Sequence, residues 1–210
     1  MLVFSMLILK LDATNLKQVL RDASETLKAG GIVAYPTETF YGLGAKFDIE
    51  KALRKIYELK QRPDEKAIPL IIGNRELLSV ITASVSNIAE SLINRFWPGP
   101  LTLIFHAKKN LSEYITAGTC KVAVRIPGES FALRLAKTAG FPITATSANP
   151  SGLPPARDAG TLTEYFGDKI DLIIDGGYTT GDLPSSIVDV TGDEIIIMRN
   201  GVIKKELLTS

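Results

Sequence analysis

Three short segments of the chain set hydroxyl or charged side chains directly behind apolar runs, in stretches rich in glycine and proline. They are Thr37, Glu38 and Thr39 in PTETFYGLGA, Lys60 and Arg62 in KQRP, and Ser147 and Asn149 in TSANPSG. Loops at strand ends are where α/β sheets hold ligands, so chemistry is expected there. A lysine and an arginine two residues apart can clamp a polyphosphate, the ammonium as a point charge and the guanidinium as a fork. The same pair also suits a solvated helix C-terminus, where the helix dipole favours cations. Ser147 and Asn149 offer hydroxyl and amide donors for phosphate or ribose oxygens, or else close a local turn. Thr37 faces a similar choice between a ligand and the backbone that follows it. Arg125 ends KVAVR and Arg199 ends EIIIMR, so each falls at a sheet rim, as an anion contact or as an ordinary surface charge.

Composition narrows the chemistry. One cysteine, Cys120, and one histidine, His106, leave no disulfide, no zinc cluster and no Cys/His nucleophilic pair. A serine nucleophile is disfavoured because no G-x-S-x-G elbow occurs. His106 follows an apolar run and reads as a strand-end residue, and Cys120 has no neighbour to activate a thiolate. The formal net charge of +1 gives no global field toward nucleic acid or anionic membranes, so any anion site is local. Hydrophobic residues at 45% and charged residues at 22% are ordinary globular usage, which sets disorder and fibrous repeats aside. No apolar run reaches the roughly 18 residues of a membrane span, and MLVFSMLILK lacks the basic start and small-residue cleavage site of a signal peptide. The expectation is a single domain over residues 1–210, soluble and cytoplasmic, with no membrane partner.

Periodicity supplies the elements that must position these groups. Residues 2–11 read as a first strand. Asp12 or Thr14 then caps a helix with Leu16, Val19, Leu20, Ala23 and Leu27 on one face, closed by Gly30 and Gly31. A buried strand over 31–36 ends at proline, and TETFYGLGA reads as a loop. Asp48 caps a second helix that carries Leu53, Ile56, Tyr57 and Leu59, runs into Lys60 and frays before Pro63. Further strands are expected at 68–72, 101–105, 122–126, 142–146, 172–175, 187–190 and 194–199, and helices at 86–96, 129–139 and 162–166. Helices alternate with strands early, and strands cluster late. The fold class is therefore α/β, a mixed parallel and antiparallel sheet with helices packed on it, and no repeat or linker divides it.

Taken in order, AYPTETFYGLGA, YELKQRP, WPGPLTLI, VAVRIP, TSANPSG, DGG, SSIVDV and MRNG resemble the YrdC/TsaC family of threonylcarbamoyl-AMP synthases over about residues 16–201. K-x-R combined with S-x-N is specific where each alone is not. The resemblance implies a twisted mixed sheet around a concave, positively charged cavity, in the family's short single-domain form. It implies condensation of L-threonine, bicarbonate and ATP to threonylcarbamoyl-adenylate with release of pyrophosphate. The product would pass to a threonylcarbamoyl transferase complex that modifies adenosine 37 of tRNA. By motif, the implied catalytic set is Lys60, Arg62, Ser147 and Asn149. Of these, Lys60 and Arg62 would hold the ATP phosphates and Ser147 and Asn149 the nucleotide, with Arg199 near the phosphates. Thr37 would contact threonine and Arg125 would take its carboxylate. The chain departs from the family pattern at three places. KQRP is followed by IPLIIGN, so Gly73 stands where relatives often carry a substrate-facing histidine. Lys121 replaces a threonine near ATP, and GLPPAR replaces the commoner Ser-Pro-Thr after S-x-N.

Such a reaction needs no protein nucleophile. Threonine's amine adds to carbon dioxide or bicarbonate, and the carbamate oxygen attacks the α-phosphorus, so the protein has to gather anions and disperse charge. Lys60, Arg62, Arg125 and Arg199 fall short of neutralising a polyphosphate and two carboxylate-type groups. Mg²⁺ is therefore expected on the phosphates, with no protein side chain as its ligand. Two other readings compete. A double-stranded RNA or tRNA-binding module of the same fold is disfavoured by the charge of +1. A paralogue that has lost the reaction is disfavoured by retention of both motifs.

Overall fold

The protein is described from a computed structural model that covers residues 6–63, 65–181 and 183–208. In chain order the strands are β1 (Leu7–Lys10), β2 (Val33–Pro36), β3 (Tyr41–Gly44), β4 (Leu70–Ile71), β5 (Leu101–His106), β6 (Lys121–Arg125), β7 (Ile143–Thr144), β8 (Thr146–Ser147), β9 (Leu172–Asp175), β10 (Ser186–Asp189) and β11 (Ile196–Arg199). The α-helices are α1 (Leu16–Lys28), α2 (Glu50–Lys60), α3 (Leu78–Ile81), α4 (Asn87–Phe96), α5 (Glu113–Thr116), α6 (Phe131–Ala139), α7 (Ala159–Phe166) and α8 (Lys205–Leu208).

Two mixed sheets form rather than the single sheet expected. The first has the order β1-β9-β2-β3-β8 and the second the order β11-β10-β5-β6-β4-β7. Alternation along the strands decides what each face covers. Val33 and Tyr35 of β2, with Leu172 and Ile174 of β9, turn to α1 and α6. Ala34 and Ile173 turn the other way, into the main core shared with α2 and with Leu103, Phe105, Val122 and Val124 of the second sheet. Helix α1 presents Val19, Leu20, Ala23 and Leu27 as one buried stripe, and the chain leaves it through Gly30 at φ +85°.

The two sheets meet where the chain passes from β7 to β8 through Ala145. β7 pairs with β4, and two residues later β8 pairs with β3. Tyr35 stitches this seam by donating to Thr144 O at 3.0 Å, while Thr144 Oγ1 accepts from Ala45 N at 2.8 Å. Strands diverging from such a corner leave a crevice, and the site occupies it.

Several expected boundaries change. The segment read as the loop TETFYGLGA contains β3, paired antiparallel to β2. Its glycines hid a strand, because an added Cβ at Gly42 or Gly44 would meet the Tyr35 ring at 3.2 Å or 2.8 Å, so only glycine lets that ring lie across the pair. Ile49, not Asp48, is the N-cap residue of α2, since Asp48 pairs with Lys46 at 2.7 Å instead. The strand expected at 142–146 is divided between the two sheets. The first strand spans Leu7–Lys10, and positions 2–5 of the expected strand lie outside the described residues. The short 3₁₀ turn Arg75–Leu77, α3, α5 and α8 were not anticipated.

Candidate functional site

Helix α2 delivers the first two cations. Its end is closed rather than frayed: Gln61 adopts φ +48°, its N–H donates to Glu58 O, and Arg62 N–H donates to Tyr57 O at 3.0 Å. This paired closure is the Schellman pattern, here with glutamine in the left-handed position. It buries Lys60 and turns Arg62 toward the cavity. Lys60 is only 3% exposed, and its Nζ donates to Ser147 O, to Asn149 O at 2.7 Å and to Asn149 Oδ1 at 3.4 Å. The K-x-R and S-x-N segments, separated by almost ninety positions, are thereby joined. Burial first, and then the charge of Arg62, push the Lys60 ammonium down to about 7, while the surrounding oxygens favour its charged form.

The S-x-N loop is built to receive that ammonium. Ser147 Oγ donates to Asn149 Oδ1 at 2.6 Å, and Asn149 Nδ2 donates to Pro150 O at 3.1 Å and Leu153 O at 2.7 Å. Asn149 spends both amide protons inside its own loop, so it acts here as the brace of the turn. Ser147 reaches the cavity wall.

That cavity has a volume of about 260 Å³ and lies between β2–β3, β4, β6 and the 184–187 segment. Arg62, Arg125, Arg199, Thr37 and Ser147 all line it, while Lys60 and Asn149 stand behind the wall. Arg62 is held by the following loop, donating from Nε to Lys66 O at 2.8 Å and from Nη2 to Ala67 O at 2.6 Å. Arg199 is held by Ser185, donating from Nε to its carbonyl at 3.0 Å and from Nη2 to its hydroxyl at 3.1 Å. Burial lowers the pKa of both arginines, and the charge of Arg125 adds to the effect at Arg199. Among the described residues neither has a carboxylate within ion-pair distance. Arg125 does, because its Nη1 donates to Glu38 Oε1. Desolvated cations without counter-charges form a receptor that an anion stabilises.

Thr37 serves two purposes. Its Oγ1 donates to Phe40 O at 2.6 Å and accepts from Thr39 N at 3.1 Å and Phe40 N at 3.2 Å, which closes the β2–β3 turn, while the residue also lines the cavity. Gly73 does not face the cavity: an added Cβ would sit 2.5 Å from Lys137 N and 2.6 Å from Ala136 O, so α6 occupies that space and no histidine fits there. Lys121 pairs with Asp189 at 2.7 Å, away from the lining. His106 ends β5 as expected, its Nε2 3.1 Å from Thr191 O.

Sequence reasoning assigned no role to Thr102, Ser185 or Gly201. Thr102 and Ser185 line the cavity, and their hydroxyls lie 2.9 Å apart. Gly201 packs onto that wall, since an added Cβ would be 2.3 Å from Pro184 O and 2.5 Å from Ser185 C. The signal was present in SSIVDV and MRNG, whose serine and glycine form one contact. Among the described residues no three His, Cys, Asp or Glu side chains gather as a metal site, and no helix is long and apolar enough to cross a membrane.

Residues 25–201 match the Sua5_yciO_yrdC family, described as "Telomere recombination". A threonylcarbamoyl-AMP synthase of Pyrococcus abyssi (strain GE5 / Orsay) is 40% identical over 182 residues, covering 87% of this chain and 54% of that protein. The chain thus spans about half the length of that relative. A threonylcarbamoyl-AMP synthase of Marinobacter nauticus is 36% identical over 174 residues, covering 82% of this chain and 92% of its own length. Among solved structures, that of P. abyssi Sua5 complexed with L-threonine superposes with a TM-score of 0.88 at 37% identity, over 97% of this chain and 59% of that one.

Proposed function

Because this chain belongs to the Sua5/YciO/YrdC family, we propose that it condenses L-threonine, bicarbonate and ATP into threonylcarbamoyl-adenylate, releasing pyrophosphate. One observation carries this reading: Arg62, Arg125, Arg199 and Ser147 line a single cavity, with Lys60 fastening the S-x-N loop from behind. The cations gather inside a concavity rather than along an exposed face, which suits small anions better than a nucleic-acid duplex. The curated relatives carry the name of this activity, and a related structure was obtained with L-threonine.

In this mechanism the chain supplies position and charge. Arg62 and Arg199 receive the triphosphate, and Ser147, on the loop that Lys60 secures, lines the same cavity. Arg125 takes the carboxylate of threonine. The carbamate, formed as threonine's amine bonds to the bicarbonate carbon and water leaves, then lies against the α-phosphate. Its oxygen bonds to phosphorus as the bond to the pyrophosphate oxygen breaks, and pyrophosphate carries away the electron pair. Holding two anions in line in this way is worth about 7–11 kcal/mol of barrier in well-oriented systems. Among the described residues no carboxylate lines this cavity, so Mg²⁺ would be held by the phosphate oxygens, where it would offset charge that the side chains leave unbalanced. The adenylate would then serve a transferase that modifies tRNA.

The test is pyrophosphate release from Mg-ATP and bicarbonate with threonine present, absent, or replaced by serine or valine. A threonine-dependent signal, lowered about a hundredfold or more in Arg62→Ala, is expected. Release that ignores the amino acid, or that survives in Arg62→Ala, contradicts the assignment.

A further inference from the structure

Glu38 sits between Thr37 and Thr39, both of which line the cavity, and stands behind that lining against Arg125, with its own part unassigned. Its Oε1 accepts from Arg125, and the two side chains are 27% and 12% exposed. Its Oε2 is different. Among the described residues it is the one buried side-chain nitrogen or oxygen without a hydrogen-bond partner. A carboxylate oxygen withdrawn from water with no donor is costly, and such an atom is retained where something else supplies the donor. The backbone of Glu38 is closely packed as well: an added Cβ at Gly181 would be 2.4 Å from Glu38 O.

We propose that Glu38 is a specificity-determining residue that accepts the α-ammonium of the amino-acid substrate, so that Glu38 and Arg125 together read a zwitterion. This rests on the amino-acid substrate proposed above. An α-amino acid carries its ammonium and carboxylate on one carbon, and a guanidinium and a carboxylate held in contact present the complementary pair of charges at matching spacing. Arg125 spends Nη1 on Glu38 and keeps its other N–H groups for a carboxylate. The pairing also explains why a negative charge is kept beside three arginines that would otherwise welcome any small anion. An acid without an amine meets Glu38 as a like charge, whereas an amino acid brings the donor that Oε2 lacks.

The experiment is calorimetric titration of the full chain, without ATP, using L-threonine and its hydroxy-acid analogue, in which a hydroxyl replaces the α-amine. The wild type is expected to bind threonine at least about tenfold more tightly than the analogue, as a charge-assisted hydrogen bond allows. Glu38→Gln keeps an oxygen for Arg125 and the same volume, and should bring that ratio to within about threefold by weakening threonine. Should Glu38→Gln lose its thermal transition, Glu38→Asp, which withdraws the charge by one methylene, carries the same ratio test. A folded variant that retains the wild-type ratio overturns the inference while leaving the threonine reading intact. A wild type that binds neither ligand overturns both.

Discussion

Lys60 makes the electrostatics of the site measurable in solution. Burial and the neighbouring Arg62 bring its ammonium from 10.5 down to about 7, which places its titration near neutral pH. A triphosphate received at Arg62 and Ser147 places negative charge beside it and opposes both causes. As its pKa rises toward the ordinary lysine value, ATP binding takes up a sizeable fraction of a proton at pH 7.5 and much less at pH 6, where the ammonium is already charged. The assay is calorimetric titration of Mg-ATP, without threonine, in two buffers of different ionisation enthalpy at each pH. The same titration of Lys60→Met gives the background from ATP and the other groups. Stability follows from the same shift. A base whose folded pKa lies below its unfolded value binds fewer protons when folded. Wild-type stability should therefore climb relative to Lys60→Met as pH rises from about 7 to about 10.5, and run parallel below pH 7. Equal proton uptake in wild type and Lys60→Met, or release instead of uptake, would refute the reasoning.

Three substitutions probe the supports of the site. Gln61→Gly relieves a left-handed non-glycine residue worth about 1 kcal/mol and should raise the melting temperature by about 2–4 °C; a lower melting temperature would deny the strain. Gly73→Ala drives a methyl into the α6 backbone and should cost about 2 kcal/mol or more in denaturant unfolding, whereas an unchanged midpoint would mean that α6 yields freely. Gly201→Ala pushes on residues 184–186 and so on the Ser185 hold of Arg199; KM for ATP should rise about tenfold with the fold retained, and an unchanged KM would detach Arg199 from the nucleotide.

Local chemistry was legible where one residue decides the outcome. Ser86 accepts from Ala89 N at the start of α4, and the glycines after α1 end it as their positions suggested. The contact between K-x-R and S-x-N was not legible from spacing. Lys60 and Ser147 are joined only because the chain changes sheet between β7 and β8, and no local pattern encodes that corner, so resemblance alone brought the two motifs together. The inward turn of Lys60 was missed for a related reason: a lysine at a helix end reads as solvated unless the acceptors waiting for it, here two backbone carbonyls, are known. Glycine misled twice. At Gly42 and Gly44 it marks a neighbour's ring rather than a loop, and at Gly73 it marks the close approach of a helix rather than a lost side chain. Both meanings depend on a partner far along the chain.

The central claim is that one cavity holds a triphosphate and an amino acid at the same time. Proton-decoupled NMR of methyl-labelled L-threonine with the protein, titrated with Mn-ATP in place of Mg-ATP, tests it directly. The account predicts strong broadening of the bound threonine methyl by the metal on the phosphates, lost when Arg62→Ala removes the nucleotide. A threonine signal indifferent to Mn-ATP, while both ligands are shown to bind, would contradict it.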